Sequence, residues 1–232
     1  MTKALTTREI NDISLNGKRI SVTRTEDYVV LVVESYLNKE PVSIPVHVPH
    51  TVWKGEWENQ EYVEISGHLT STEIAAHEFE YRIIADAVHP SDALTSKYLN
   101  PKNELNCIAY LAQPPRELTD VHPYITILYL GTGSTLENGI FSGDRFKFDL
   151  SLLRKNTDMA KNLQTGDIIK VKATISKSDE HGIQIVGKQL VAILETSKPI
   201  SDGLNSLGDT FLMTFTPKQM ESVWYGPHLI FL

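Results

Sequence analysis

The stretch Asn11-Asp-Ile-Ser-Leu-Asn-Gly-Lys18 decides the fold, because a degenerate copy returns at Asn106-Cys-Ile-Ala-Tyr-Leu-Ala-Gln113. In each, an Asn opens a run with apolar residues two and four positions on: Ile13 and Leu15, then Ile108 and Tyr110. Alternation of period two puts those residues on one face of a strand. Gly17 or Ala112 follows, a small residue that lets a curled sheet bend or a second backbone approach closely.

The elements downstream line up in order. Tyr28-Val-Val-Leu-Val-Val33 is matched by Tyr124-Ile-Thr-Ile-Leu-Tyr-Leu130, each a β-branched, aromatic-rich run of strand type. Val42 to Val48 is matched by Phe146 to Leu150, and a short helix-compatible segment follows each. Val63-Glu-Ile-Ser-Gly-His-Leu69 then pairs with Ile169-Lys-Val-Lys-Ala-Thr-Ile175: apolar at 63/169, 65/171 and 69/175, small at 67/173. A fifth run closes each half, Phe79 to Val88 and Ile183 to Leu194. The pattern is an internal repeat of a five-stranded unit.

Five strands with a helical segment between the third and fourth are the layout of an OB-fold, a small Greek-key barrel. The expected class is all-β: two tandem five-stranded OB-fold barrels with short helical segments and a C-terminal extension. The boundaries fall at 1–92 for the first barrel, 93–103 for a linker, 104–198 for the second barrel and 199–232 for the extension. Pro90-Ser-Asp and Asn100-Pro-Lys-Asn flank the linker, with a helical turn expected at Ala93 to Leu99.

Asn-x-Ile-x-Leu-x-Gly-Lys near the start and Tyr62-Val-Glu-Ile-Ser-Gly-His-Leu69 after the short helix resemble the single-stranded DNA-binding protein family. The resemblance covers roughly residues 9–90 well and 104–195 more loosely. Ala112 and Ala173 stand where that family's glycines would, and the family's disordered acidic tail is missing. The resemblance implies a protein that coats exposed single strands, DNA or RNA, in replication or recombination, alongside replication or recombination proteins, without cofactor or chemistry. A phage or mobile element is one source such a protein would have.

Composition agrees with two small cores: 232 residues, 41% hydrophobic. The longest apolar runs are strand-sized, so no membrane partner is expected. Residues 1–10 lack a signal-length apolar core, which points to the cytoplasm. The single cysteine, Cys107, reads as a buried structural thiol inside a strand. Net charge is −7 but unevenly spread: residues 1–100 hold nine Lys/Arg against fifteen Asp/Glu, the remainder thirteen against fourteen. Nucleic-acid binding needs only a local cationic groove, so the second half is the better electrostatic candidate.

Single strands are bound by stacking bases on aromatic rings and tracking phosphates with cations. The first half offers Lys18, Arg19, Arg24 and Lys54 interleaved with tyrosines and with Trp53 and Trp57. Those indoles lie in a polar connection, where at least one faces solvent unless Trp53 plugs the barrel end. In the second half Phe146 and Phe148 share a face opposite Lys147, so inward rings leave Arg145 and Lys147 outside; Lys170 and Lys172 alternate likewise with apolar residues. Gly131-Thr-Gly-Ser-Thr135 reads as a flexible loop without the Gly-Lys-Ser/Thr ending of a phosphate cradle, and His47-Val-Pro-His50 lacks a third ligand at metal spacing. No nucleophile meets a base, so no enzyme and no metal are expected. After the Gly/Ser-rich stretch 199–209, the apolar C-terminal run should be buried, on a barrel or in another subunit of a homo-oligomer. Its anchors are Trp224 and Phe231, with Leu232 at the tip; a displayed partner-docking tip is the other reading. Two further function classes stay open: a protein-interaction module whose acidic first half docks a partner, and a structural scaffold such as a virion component.

Overall fold

The computed structural model of the chain describes residues 5–37, 40–54, 60–75, 78–99, 101–118, 125–137, 140–178, 182–194 and 223–224. A one-turn helix α1 (Thr7–Ile10) leads into β1 (Asn11–Arg24), β2 (Tyr28–Leu37), β3 (Glu40–Pro49), β4 (Tyr62–Ala75) and β5 (Glu78–Ser91). A π-helical turn (Thr95–Leu99) precedes β6 (Asn103–Leu111), β7 (Arg116–Glu117), β8 (Ile125–Thr132), β9 (Thr135–Glu137), β10 (Ile140–Ser142) and β11 (Phe146–Leu153). A 3₁₀ helix (Arg154–Ala160), β12 (Ile168–Ser178), β13 (Gly182–Leu194) and the two-residue β14 (Val223–Trp224) complete the order. The fold is all-β. No described helix is long and apolar enough to cross a membrane. By their contacts the described residues form two compact units, 11–105 with 173–185, and 5–10 with 106–172, 186–194 and 223–224.

In the first of these, β1 to β5 close into a barrel. β2 pairs with β1 and β3, β1 with β4, and β4 with β5, all antiparallel. A short parallel pairing of β3 with β5, Val46 opposite Ile83, shuts the ring. The interior is the period-two apolar set the sequence shows: Ile13, Leu15, Leu31, Val33, Ile44, Val46, Ile65, Leu69 and Ile83, all at most 1% exposed. Closing so small a ring needs sharply coiled strands, and two glycines allow it. A Cβ on Gly17 would run into the Glu34 carbonyl of β2, and one on Gly67 into the Ile84 carbonyl of β5. A register shift between Ser66 and Gly67 marks the bend itself.

In the other unit β8 pairs with β11 over the whole of β11, and β8 touches β6 at Tyr110 and Gly131. The strand order around it runs β6, β12, β13, β11, β8. Phe148, Leu150, Leu152, Ile169 and Val171 are fully buried, and the 3₁₀ helix stands between β11 and β12 as the repeat predicts. In the first repeat the described part of the same connection is a turn, with the Pro49 carbonyl accepting from the Val52 and Trp53 N–H groups.

Two expectations need correction. The residue that bonds as Asn11 does is Asn103, not Asn106. The Asn11 side chain donates to the Leu69 carbonyl (2.7 Å) and accepts from its N–H (3.1 Å); Asn103 does the same to Ile175 at 2.8 and 3.0 Å. The true match is Asn11-Asp-Ile-Ser-Leu-Asn-Gly17 with Asn103-Glu-Leu-Asn-Cys-Ile-Ala109, and the burial patterns of the two strands coincide over their first eight residues. A shift of three is odd, so it exchanges the faces of the strand. Leu105, Cys107 and Ala109 are buried within 2%, whereas Tyr110 is only partly buried, and Ala109 takes the place of Gly17. Second, the Gly131-to-Thr135 stretch is not a loose loop. Gly131 and Thr132 are the last residues of β8, with Gly131 against the Tyr110 ring, and β9 pairs with β10 as a hairpin. Leu136 and Phe141 from that hairpin pack on Ile10, Ile108 and Ile168, an apolar anchor that a flexible loop would lack.

Candidate nucleic-acid interface

Since Val29, Leu31 and Val33 fill the first barrel, the alternate residues of β2 must face outward. These are Tyr28, Val30, Val32, Glu34 and Tyr36, opposite Pro49, His47, Pro45, Ser43 and Pro41 of β3. The result is a shallow, largely apolar face with a tyrosine at each end. The Tyr28 and His47 rings meet edge to face, 5.7 Å apart at 89°. Partial burial, and then the charge of Arg82, hold the His47 pKa below its ordinary value, so the imidazole is neutral. At the other end the Lys97 ammonium lies 5.5 Å from the centre of the Tyr36 ring.

Two connections border this face. In the β1–β2 turn Thr25 bonds to Tyr28 through both its backbone and its hydroxyl, and His50 Nε2 lies 3.2 and 3.1 Å from the Thr25 and Glu26 carbonyl oxygens. The β4–β5 hairpin runs out to Ala75 opposite Glu78, with Ile74 59% exposed and the Phe79 and Tyr81 rings 6.0 Å apart. Phe79 and Tyr81 were not among the expected binding residues. Their alternation in Phe79-Glu-Tyr-Arg82 was the available signal, read only as the fifth strand.

The expected residues of the first half are scattered around this face. Lys18 sits 3.2 Å from Glu61, whose carboxylate raises its pKa, and Arg19 Nε donates to the Gln60 carbonyl. Arg24 is exposed at the end of β1. Trp53 is half-buried, and Lys54 is exposed on a cavity of about 560 Å³ lined also by Thr51, Gln60, Asp86 and His89. Trp57 lies outside the described residues.

In the second half the alternation on β11 is as expected: Phe148 is fully buried and Lys147 exposed. Lys147 reaches over the ring of Tyr129, its outward neighbour on β8, at 5.6 Å from the ring centre. Tyr129 itself is only 7% exposed, so this ring is covered rather than presented. Arg145 is exposed and donates to the Phe141 carbonyl at 3.0 Å. Lys170 and Lys172 lie on β12, and β13 runs between β12 and β11. The four cations therefore do not form one tight cluster. Lys188 on the intervening strand, alternating with Gly187 that faces Leu150 and Leu152, was missed; the sequence shows it only as one charge within an apolar run. Cys107 is buried as expected, and burial pushes its thiol pKa up to about 12. Val223 and Trp224 pair through their backbones with Ala192 and Val191 of β13; Phe231 and Leu232 lie outside the described residues.

No protein-family model matches the sequence, and no curated protein matches it. The backbone, by contrast, is similar to solved structures. The wild-type single-stranded DNA binding protein from Thermus aquaticus superposes with a TM-score of 0.55 at 14% identity, over 84% of this chain and 97% of that one. The fold is that of the Thermus aquaticus protein. A deletion mutant of the Thermus protein gives 0.52 at 14% identity, over 83% and 98%. Both likenesses extend well past Ser91, where the first barrel ends.

Proposed function

We propose that this chain is a non-enzymatic single-stranded DNA-binding protein that coats exposed strands during replication or recombination. The observation that carries the reading is the outward β2–β3 face of a closed OB barrel, the surface on which this fold takes oligonucleotides. Tyr28 and Tyr36, with Phe79 and Tyr81 on the bordering hairpin, supply rings for stacking; Arg24, Trp53, Lys54 and Trp57 are further contacts of the strand. Lys18 and Arg19 act there as second contacts, released from Glu61 and Gln60 when phosphate competes.

The second half is a tandem OB barrel of β6, β8, β11, β12 and β13. Its strand order repeats that of β1, β2, β3, β4 and β5, and the duplicated Asn clamp supports it. Its contribution is electrostatic: Arg145, Lys147, Lys170, Lys172 and Lys188 track phosphates. The protein works in the cytoplasm, and Trp224, Phe231 and Leu232 are the residues through which its C-terminal run docks. A protein-docking role for the first barrel is the second reading, favoured by exposed Glu26, Asp27 and Glu40 at the ends of the face. Competition between oligo-dT and a duplex for the full chain tests the proposal. Strong preference for the single strand, weakening steeply with salt, is expected; equal affinity for both, or none for either, overturns it.

A further inference from the structure

Among the large apolar side chains left most exposed by the fold, three belong to one short segment: Leu94 (58%), Tyr98 (75%) and Leu99 (69%), in and beside the π-helical turn. Such a segment between barrels would ordinarily be a pliant tether, but this one is fastened at both ends. Asp92 accepts from the Thr95 N–H and hydroxyl, both at 2.8 Å. Ser96 is fully buried, its hydroxyl 3.0 Å from that of Ser91. Beyond the turn, the Lys102 N–H donates to the Asn16 side chain, and the Lys102 carbonyl accepts from the Asn16 N–H and the Ser35 hydroxyl. The turn is hydrogen-bonded on both sides, and its outer side chains Leu94, Tyr98 and Leu99 are presented to solvent.

What it presents is a cation among aromatic rings. Lys18, Arg82, Lys102 and Lys161 each hold a carboxylate. Lys97 instead lies over Tyr36, and the groups that raise its pKa are the phenols of Tyr36, Tyr62 and Tyr98, Tyr36 first. A cation with no carboxylate of its own among the described residues keeps its charge for an incoming anion. An exposed ring one residue away offers a flat apolar surface to a planar partner. Phosphate and base at adjacent positions are the chemistry of a single nucleotide.

We propose that the Thr95–Leu99 turn is a further single-strand contact, extending the β2–β3 face past Tyr36, with Tyr98 stacking a base and Lys97 holding the neighbouring phosphate. This rests on the single-strand reading of that face. The occupant is nucleic acid rather than a protein, because the patch joins a cation to rings at the end of a face already lined by tyrosines. Titration of oligo-dT into the full chain at several salt concentrations, with Tyr98→Ala, Tyr98→Phe and Lys97→Ala beside the parent, tests it. Tyr98→Ala should weaken binding roughly 5- to 150-fold with an unchanged salt slope, and Tyr98→Phe should bind like the parent. Lys97→Ala should lower the slope of log affinity against log salt by about 0.7. A parent that binds, with Tyr98→Ala and Lys97→Ala equal to it, overturns this contact and leaves the wider reading standing. A parent that does not bind overturns both. Tyr98 is exposed and Lys97 only half-buried, and thermal melts matching the parent verify that the fold stays out of the result.

Discussion

Asn11 and Asn103 make the same two hydrogen bonds to equivalent residues of equivalent strands, yet the outer faces carried by the two strand sets have little in common. On β2 and β3 the outward row is mostly tyrosine, valine and proline, with His47, Glu34 and Ser43 among them. On β8 and β11 the outward tyrosine is covered and a lysine lies across it. The framework bonds are internal and buried, where a lost partner leaves two backbone groups unsatisfied, so any drift there is costly. Outer faces carry no such penalty and can diverge toward stacking in one case and toward charge in the other.

The largest expected effects test the shared framework. Asn11→Ala and Asn103→Ala should each strand the N–H and C=O of Leu69 or Ile175, at about 1–3 kcal/mol per group. Urea denaturation should find both variants strongly destabilised by similar amounts. A neutral Asn103→Ala beside a damaging Asn11→Ala would break the equivalence.

Next come the small residues, where the two sets should differ. Gly17→Ala or Gly67→Ala drives a methyl into a backbone carbonyl and should cost about 1–3 kcal/mol or more. Ala109 and Ala173 already fit their sites fully buried, so Ala109→Gly or Ala173→Gly should cost only about 0.5–1 kcal/mol. Thermal melts of the four variants give the comparison directly.

The smallest effect is that of pH. The folded His47 pKa lies below its ordinary value of 6.5, so the neutral ring is favoured by folding. Its contribution is full above that value and is lost as pH falls below it toward the folded pKa. The melting temperature should therefore drop on acidification through this window, and His47→Gln should flatten that part of the profile. An unchanged profile would mean that the β2–β3 face is wet at His47.

The sequence carried the fold well for a physical reason: barrel strands must alternate, and Val63, Ile65 and Leu69 announce their buried face as plainly as Ile169, Val171 and Ile175 do. Register was harder. Asn103 and Asn106 are both followed by apolar residues two positions on, and only the partner on β12 distinguishes them. The site was less legible still. Lys147 could be placed outside from its own strand, but that β13 separates it from Lys170 and Lys172 is a property of strand order. Lys97 and Tyr98 read as linker because the placement of Lys97 over a ring depends on Tyr36, far away in the chain.

The difference between stacking and charge is tested most directly by the salt dependence of oligo-dT binding in two multiple variants of the full chain. Tyr28→Ala with Tyr36→Ala should weaken binding and leave the slope of log affinity against log salt as it is in the parent. Lys147→Ala, Lys170→Ala and Lys172→Ala together should lower that slope by about 2, at about 0.7 for each phosphate that is no longer neutralised. Both variants binding oligo-dT with the parent's affinity and slope, while still folded, would contradict the account.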